Sequence, residues 1–276
     1  MTELVIQLNR LANWCGQYAL APIAVLPGWL SATLVALATA AFTLIIFRYT
    51  SDQVAVKRAR DQITANLLAL WLFQDNVGLG LRCQGRLFAA ACRLPLLAVV
   101  PMLVMIVPCC LLLGQLALWY EARPLRVGEE AVLTVLLSGG HGELPEVQLE
   151  PSAAAESRIG PVRVPGRRMV CWNLRAQREG HHCLSLDVAG RKLEKELAIG
   201  HGFMRVSSRR PARHWLELLV HPCEPPLPPD SAVEAIVIDY PDRDGWSSGT
   251  GSWLVYWFAA SMIAALCLRP WLDVFS

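Results

Sequence analysis

The chain has 276 residues, a formal net charge of +2 and a hydrophobic fraction of 54%. Its mean hydropathy of +0.37 is high for a soluble domain and low for a chain made only of membrane helices. The Lys and Arg residues are scattered, without a dense basic run or interleaved aromatic residues, which excludes nucleic-acid binding through a basic patch. Composition therefore indicates two populations of residues, apolar spans and a long polar segment.

The first segment, residues 1–27, is predicted to be an interfacial amphipathic helix that ends before the first span. Its apolar residues recur at helical spacing, at Leu4, Leu8, Leu11, Cys15 and Tyr18. This stripe is typical of a helix that lies on the outer leaflet of a membrane. Pro22 and Pro27 then break the helix.

Three segments without a charged residue are predicted to cross the membrane, namely residues 28–47, 95–120 and 252–268. At about 1.5 Å of rise per residue, roughly twenty helical residues cover the ~30 Å hydrocarbon core. The third segment is the shortest, and Trp253 near its start and Trp271 after its end are placed to lie at opposite interfaces. The sequence thus predicts an integral membrane protein with three transmembrane helices.

The loop between the first two spans, residues 48–94, determines the predicted orientation. It holds seven Lys and Arg residues against three Asp, and short loops rich in Lys and Arg stay in the cytoplasm. The N-terminus and the polar segment after the second span are then outside, and the tail, residues 269–276, is inside. A cleaved signal peptide is the alternative for the first span, but no basic region precedes that span.

The same loop is predicted to form a helical hairpin on the inner leaflet. Residues 52–73 indicate one amphipathic helix, charged early and apolar late, and residues 74–76 indicate a turn. A second helix would follow the turn and continue into the second span. Burial of residues 67–73 against the spans is the alternative to contact with the leaflet.

Residues 121–245 are predicted to form an extracytoplasmic β domain. Short runs of alternating apolar residues are separated by turns that contain Gly and Pro, which is typical of strands. The predicted strands are residues 131–136, 146–149, 169–174, 183–188, 195–199, 215–220 and 232–238. Strands at this spacing predict an immunoglobulin-like β-sandwich, with Trp172 and Trp215 as its central aromatic side chains.

Two cysteines of this domain are candidates for a disulfide. Cys171 and Cys183 would face each other if their strands formed a hairpin in an oxidising compartment. Two free thiols are the alternative, because a cross-link across a hairpin needs a particular Cβ geometry.

The sequence predicts no metal site, no cofactor and no enzymatic activity. His181 and His182 precede Cys183, but a structural zinc site needs four ligands at motif spacing, and the chain has no Cys-x-x-Cys. We therefore expect surface histidines. The chain also has no Ser-His-Asp order, phosphate-binding loop or paired-carboxylate motif.

The predicted spans lack Asp, Glu, Lys and Arg, which argues against a proton relay or an ion path built on buried charge. Their cytoplasmic halves instead contain weakly polar or soft side chains, at Thr39, Thr43, Met102, Met105 and Ser261. These residues either line a shallow groove or serve as helix contacts and gap fillers.

The order of these elements resembles the Oxa-type membrane-protein insertase superfamily, which includes YidC and a core subunit of the endoplasmic reticulum membrane protein complex. Residues 9–47, an amphipathic lead, a break and an apolar span, are similar to the beginning of the eukaryotic and archaeal members. Residues 246–268, a Ser- and Gly-rich approach to an apolar run, resemble the start of their last span. The chain differs by the inserted β domain and by the lack of a positive residue in its spans.

The resemblance implies a bacterial inner-membrane protein that assists insertion or assembly of other membrane proteins, which would be its clients. The five groove candidates would offer them a polar, locally thinned path through the lipid bilayer. The cytoplasmic hairpin would capture an emerging apolar segment, with candidate contacts at Arg58, Arg60, Trp71 and Phe73. The alternative is a non-catalytic scaffold or accessory subunit, anchored by the spans, that binds a partner through the β domain.

Overall fold

The computed structural model describes residues 2–21, 25–50, 57–58, 61–65, 67–68, 77–139, 144–249 and 251–271. These residues form a mixed α+β chain with apolar helices and a sheet-rich domain. The chain divides into two compact units. One comprises Met1–Ala32 and Cys110–Trp257, and the other comprises Thr33–Cys109 and Phe258–Ser276.

The principal helices are α1 (Thr2–Ala19), α2 (Gly28–Thr50), α3 (Val77–Tyr120), α4 (Trp215–Val220) and α5 (Ser252–Leu268). Helix α2 and the Met102–Tyr120 part of α3 are long and apolar enough to cross a membrane, by length and composition. Helix α5 is equally apolar in character but has only 17 residues.

Helix α3 joins the predicted cytoplasmic region to the second apolar segment without interruption, as the sequence predicted. It runs for 44 residues and passes through Pro101 and Pro108, although each proline removes one backbone N–H donor from the helix. Of the predicted hairpin helix, the described parts (57–58, 61–65 and 67–68) are helical. The predicted turn at residues 74–76 lies outside the described residues.

The β domain consists of two antiparallel sheets. The five-stranded sheet has the order β3-β4-β1-β8-β7, and the three-stranded sheet has the order β2-β5-β6. The strands are β1 (Glu130–Leu137), β2 (Val147–Leu149), β3 (Ala155–Val164), β4 (Met169–Ala176), β5 (Gly180–Val188), β6 (Arg191–Ile199), β7 (Arg209–Pro211) and β8 (Val233–Ile238).

Both sheets contribute to a single hydrophobic core. In β1 and β4 every second side chain is buried, because successive residues of a strand point to opposite faces. Leu133 and Trp172 come from the five-stranded sheet and Leu186 from the three-stranded sheet, and all three are nearly inaccessible to solvent. Burying a large apolar side chain stabilises a fold by about 1.5–3 kcal/mol, so this alternation holds the two sheets together.

The predicted strand at residues 215–220 is wrong, because these residues form helix α4. The run Trp-Leu-Glu-Leu-Leu-Val lacks alternation, and Leu and Glu favour helix. Trp215 is 39% exposed and is therefore not a core residue, whereas Trp172 is 3% exposed and lies in the core as predicted.

The predicted hairpin between Cys171 and Cys183 is also absent, and both residues are free thiols. Cys171 lies on β4, which pairs with β1 and β3 in the five-stranded sheet. Cys183 lies on β5, which pairs with β2 and β6 in the three-stranded sheet. Because the chain changes sheet between the two strands, the cysteines are not cross-strand neighbours.

Candidate functional site

The five groove candidates differ in their exposure. Thr39 and Met105 are buried, Thr43 and Ser261 are half-buried, and Met102 is 66% exposed. Their location in one shared groove stays a prediction.

The hydroxyl groups of two groove candidates are bonded within their own helices. Thr39 Oγ1 donates to the carbonyl oxygen of Val35 at 2.7 Å, and Ser261 Oγ donates to the carbonyl oxygen of Phe258 at 2.9 Å. Such bonds satisfy a hydroxyl inside an apolar helix. They leave the hydroxyl oxygen able to accept a further hydrogen bond.

Of the four residues predicted to capture a client segment, the structure describes only Arg58. Arg58 is exposed to solvent. The other three members lie outside the described residues, namely Arg60, Trp71 and Phe73.

A polar junction joins α1, the end of α3 and the β domain, and the sequence did not predict it. Its centre is Asn13, whose Nδ2 donates to the carbonyl oxygen of Pro222 at 2.6 Å. Asn13 Oδ1 accepts from Gln115 Nε2 at 2.6 Å and from Arg205 Nη2 at 3.1 Å. Gln115 is buried although it lies in the apolar Met102–Tyr120 segment, and its side-chain bond to Asn13 offsets the cost of that burial.

Helix α1 also packs on α4 through apolar contacts. Val5, Ile6 and Leu218 form a small buried cluster, and Asn9 Nδ2 donates to the carbonyl oxygen of Leu218 at 2.6 Å. One face of α1 is thus attached to the β domain by both apolar contacts and hydrogen bonds.

Two glycines permit this close packing. A Cβ added at Gly16 of α1 would lie 2.7 Å from Gln115 Oε1. A Cβ added at Gly114 of α3 would lie 2.9 Å from the carbonyl oxygen of Leu219 and 3.0 Å from Pro222 Cγ. A side chain at Gly114 would therefore collide with the Leu219–Pro222 backbone and ring, and one at Gly16 would require the Gln115 side chain to move.

Arg243 holds together the segments at the base of the β domain. Its Nη1 donates to the carbonyl oxygen of Gly202 at 3.1 Å, and its Nη2 donates to that of Ala122 at 3.2 Å. The guanidinium lies 4.1 Å from the ring centroid of Phe203, a cation–π arrangement. Burial lowers the pKa of Arg243 to about 10, so the side chain remains charged at neutral pH.

Within the core of the β domain, a buried ion pair joins β6 to two loops. Lys195 Nζ lies 2.5 Å from Glu224 Oε1 and donates to the carbonyl oxygen of Ser207 at 2.7 Å. Ser207 Oγ also donates to Glu224. Lys195 has no exposed surface, and its contacts with Ser207 and Glu224 fasten the two loops to the sheet.

The face of α1 that packs on α4 and α3, here called the docked face, also has a recognisable sequence pattern, although the apolar stripe is the more prominent one. Asn9, Asn13 and Gly16 are spaced i, i+4 and i+7, which places them on one face of a helix. Their partners at residues 218 and 222 are more than 200 positions away in sequence. The side-chain pattern thus indicated a second face but not the segment that covers it.

The chain was also compared with known proteins. No protein-family model matches it, and neither a curated protein nor a solved structure matches it.

Proposed function

We propose that the protein is an Oxa-like protein of the bacterial inner membrane that assists insertion or assembly of other membrane proteins. In this proposal α2, α3 and α5 cross the bilayer, the N-terminus and an immunoglobulin-like β domain lie outside, and the C-terminus lies inside. The element order, an amphipathic helix followed by an apolar helix, a long helix and a final apolar helix, supports it.

The observation that carries the proposal is the length of α5. Its 17 residues extend about 25 Å at 1.5 Å per residue, which is less than the ~30 Å hydrocarbon core. A span that is too short thins the bilayer around it. Thinning lowers the cost of moving a polar segment of a client across the membrane, because the path through hydrocarbon becomes shorter.

The groove candidates would act on the same client segment. The Thr39 and Ser261 hydroxyls are bonded to carbonyls of their own helices and still have a free lone pair for a client N–H group. Thr43 would add a third hydroxyl, while Met102 and Met105 would supply adaptable apolar contacts. The cytoplasmic hairpin would deliver the segment to this path.

The length of α5 is tested by inserting four leucines after Ala264. The longer helix would match the hydrocarbon core, so we expect slower insertion of a client with a short translocated tail in reconstituted vesicles. A matched control carries four residues inserted after Gly190, in the exposed turn between β5 and β6. Equal insertion rates for the lengthened helix and the control would contradict the thinning mechanism.

The groove is tested by combining Thr39→Val, Thr43→Val and Ser261→Ala. The protein should stay folded, because the Thr39 and Ser261 hydroxyls bond carbonyls of their own helices and a side-chain hydrogen bond in a membrane helix is worth at most about 1–2 kcal/mol. Client insertion should be slower. Thr134→Val removes a half-buried hydroxyl from the β domain and serves as the control.

A scaffold or accessory subunit is the second candidate function, and edge strand β3 favours it. Ile159 and Val162 lie on this strand and are 59% and 47% exposed, so a partner could cover them. Removing the β domain should then abolish function, while the groove variant should behave as the native protein does. The opposite pattern of results supports the insertase proposal.

A further inference from the structure

Helix α1 has an apolar stripe that no other part of the described chain covers. The stripe comprises Leu4, Leu11, Trp14 and Tyr18, with exposed fractions of 63%, 60%, 63% and 67%. Trp14 and Tyr18 form an edge-to-face pair with centroids 5.5 Å apart. The stripe lies on the side of the helix opposite the docked residues Asn9 and Asn13, since successive residues turn by about 100°.

Polar residues occupy the remaining flank of α1. Exposed polar side chains lie beside the stripe, at Glu3, Arg10 and Gln17, while Gln7 is a single polar residue within it. The helix thus has a docked face, an exposed apolar face and an exposed polar face. An apolar face with aromatic residues beside a polar face is typical of a helix that lies in the plane of a membrane interface.

Helix α4 adds a second exposed apolar surface next to α1. Leu218 faces α1 and is buried, whereas Trp215, Leu216 and Val220 remain 39%, 50% and 59% exposed. Leu216 and Val220 are one turn apart and therefore share a face of α4.

Contacts with α3 mark the level of one point on each of the two helices. Gly16 of α1 packs on Gln115, and Leu219 of α4 packs on Gly114. These α3 residues precede Tyr120 by five and six positions, which corresponds to about 8–9 Å along the helix axis. Interfacial helices bury their apolar faces about 5–10 Å deep, so both contact points lie within the depth at which Trp and Tyr are favoured.

We propose that α1 and α4 form a collar that inserts its apolar side chains into the outer lipid leaflet and seats the β domain on the membrane surface. The occupant is lipid, because α1 and α4 both contact the end of an apolar helix and expose aromatic beside aliphatic side chains, as interfacial helices do. The inference rests on the proposal that α3 crosses the membrane. It adds α4 and the base of the β domain to the membrane-contacting surface.

The collar is tested with the full chain reconstituted in vesicles of phosphatidylcholine brominated near the headgroup end of the acyl chains. Bromine quenches tryptophan fluorescence at short range. Trp14→Phe and Trp215→Phe should each lower the fraction of emission that the shallow bromines quench. Trp172→Phe is the control, because Trp172 is buried in the β-domain core and its loss should remove only unquenched emission.

The outcomes separate the collar from the spans. If Trp14→Phe and Trp215→Phe leave the quenched fraction unchanged, the two side chains contact water or another protein, and the collar is wrong. Extraction of the protein by alkaline carbonate would overturn both the spans and the collar. Retention in the membrane together with unchanged quenching would overturn the collar alone.

Discussion

At the scale of single residues, the most consequential group is the buried Lys195–Glu224 pair. Both side chains are at least 98% buried, and the ammonium also donates to the carbonyl oxygen of Ser207. Desolvation of two charges is costly, and close contact with additional hydrogen bonds offsets that cost. Removing one partner would leave the other charge buried without compensation.

Lys195→Met should therefore destabilise the β domain by about 3–5 kcal/mol, the cost of leaving one buried charge unpaired. Denaturant unfolding of the protein in detergent, followed by circular dichroism of the sheets, measures this loss. The control is Lys192→Met, because Lys192 pairs with Glu150 on the surface and exposed pairs contribute little. Equal unfolding midpoints for the two variants would show that the buried pair does not fasten the loops.

At the scale of secondary-structure elements, α1 has two opposite faces with different roles, one that is exposed and one that packs on the rest of the protein. The predicted stripe is the face that remains exposed, while the face with Asn9 and Asn13 packs on α4 and α3. The close approach of α4 to α3 depends on Gly114. The packing of both α1 and α4 is therefore sensitive to a Cβ atom added at Gly114.

Gly114→Ala should loosen α4 and, through Leu218, also α1. The new Cβ would lie 2.9 Å from the carbonyl oxygen of Leu219, and the obstructing atom belongs to the backbone. Hydrogen exchange at residues 2–19 and 215–220 should become faster. Gly85→Ala in the same helix is the matched control, since a Cβ at Gly85 meets nothing within 4 Å. Faster exchange in both variants would point to a general effect on α3.

The sequence predicted the strands in which buried and exposed residues alternate regularly. Strands β1 and β4 alternate cleanly because one face of each is buried, and the sequence predicted both. Strand β3 was missed because nearly all of its residues are exposed, so no alternation was selected. Helix α4 was assigned as a strand because six residues, five of them apolar, are too few to distinguish the period of a helix from that of a strand.

The candidate site was predictable to a smaller extent, for a physical reason. Apolar helices are defined by local composition, so α2 and the later part of α3 could be predicted from the sequence as helices apolar enough to cross a membrane. The Asn13 junction depends on backbone carbonyls near Pro222 and on Gln115, which only the tertiary fold brings to α1. Every residue has a backbone carbonyl, so the residue type does not indicate which carbonyl accepts a hydrogen bond, and sequence patterns cannot predict such contacts.

At the scale of the whole molecule, the proposed function depends on which side of the membrane each region occupies. The basic loop predicts that Lys57 lies in the cytoplasm, and Lys57 is exposed. The exposed turn at Gly190 belongs to the β domain and is predicted to lie outside. Three spans would return Arg269, which follows α5, to the side of Lys57, whereas two spans would leave it on the side of Gly190.

Single cysteines at these three positions test both the orientation and the number of spans. In a background without the native cysteines, Arg191→Cys, next to Gly190, should react with a membrane-impermeant maleimide added outside. Lys57→Cys and Arg269→Cys should react only after the membrane is opened. Outside labelling of Arg269→Cys alongside Arg191→Cys would mean that α5 does not cross the bilayer, which removes the thinning mechanism. Labelling of Lys57→Cys and Arg191→Cys from one side would overturn the orientation, because a capture hairpin and an outer β domain require opposite faces.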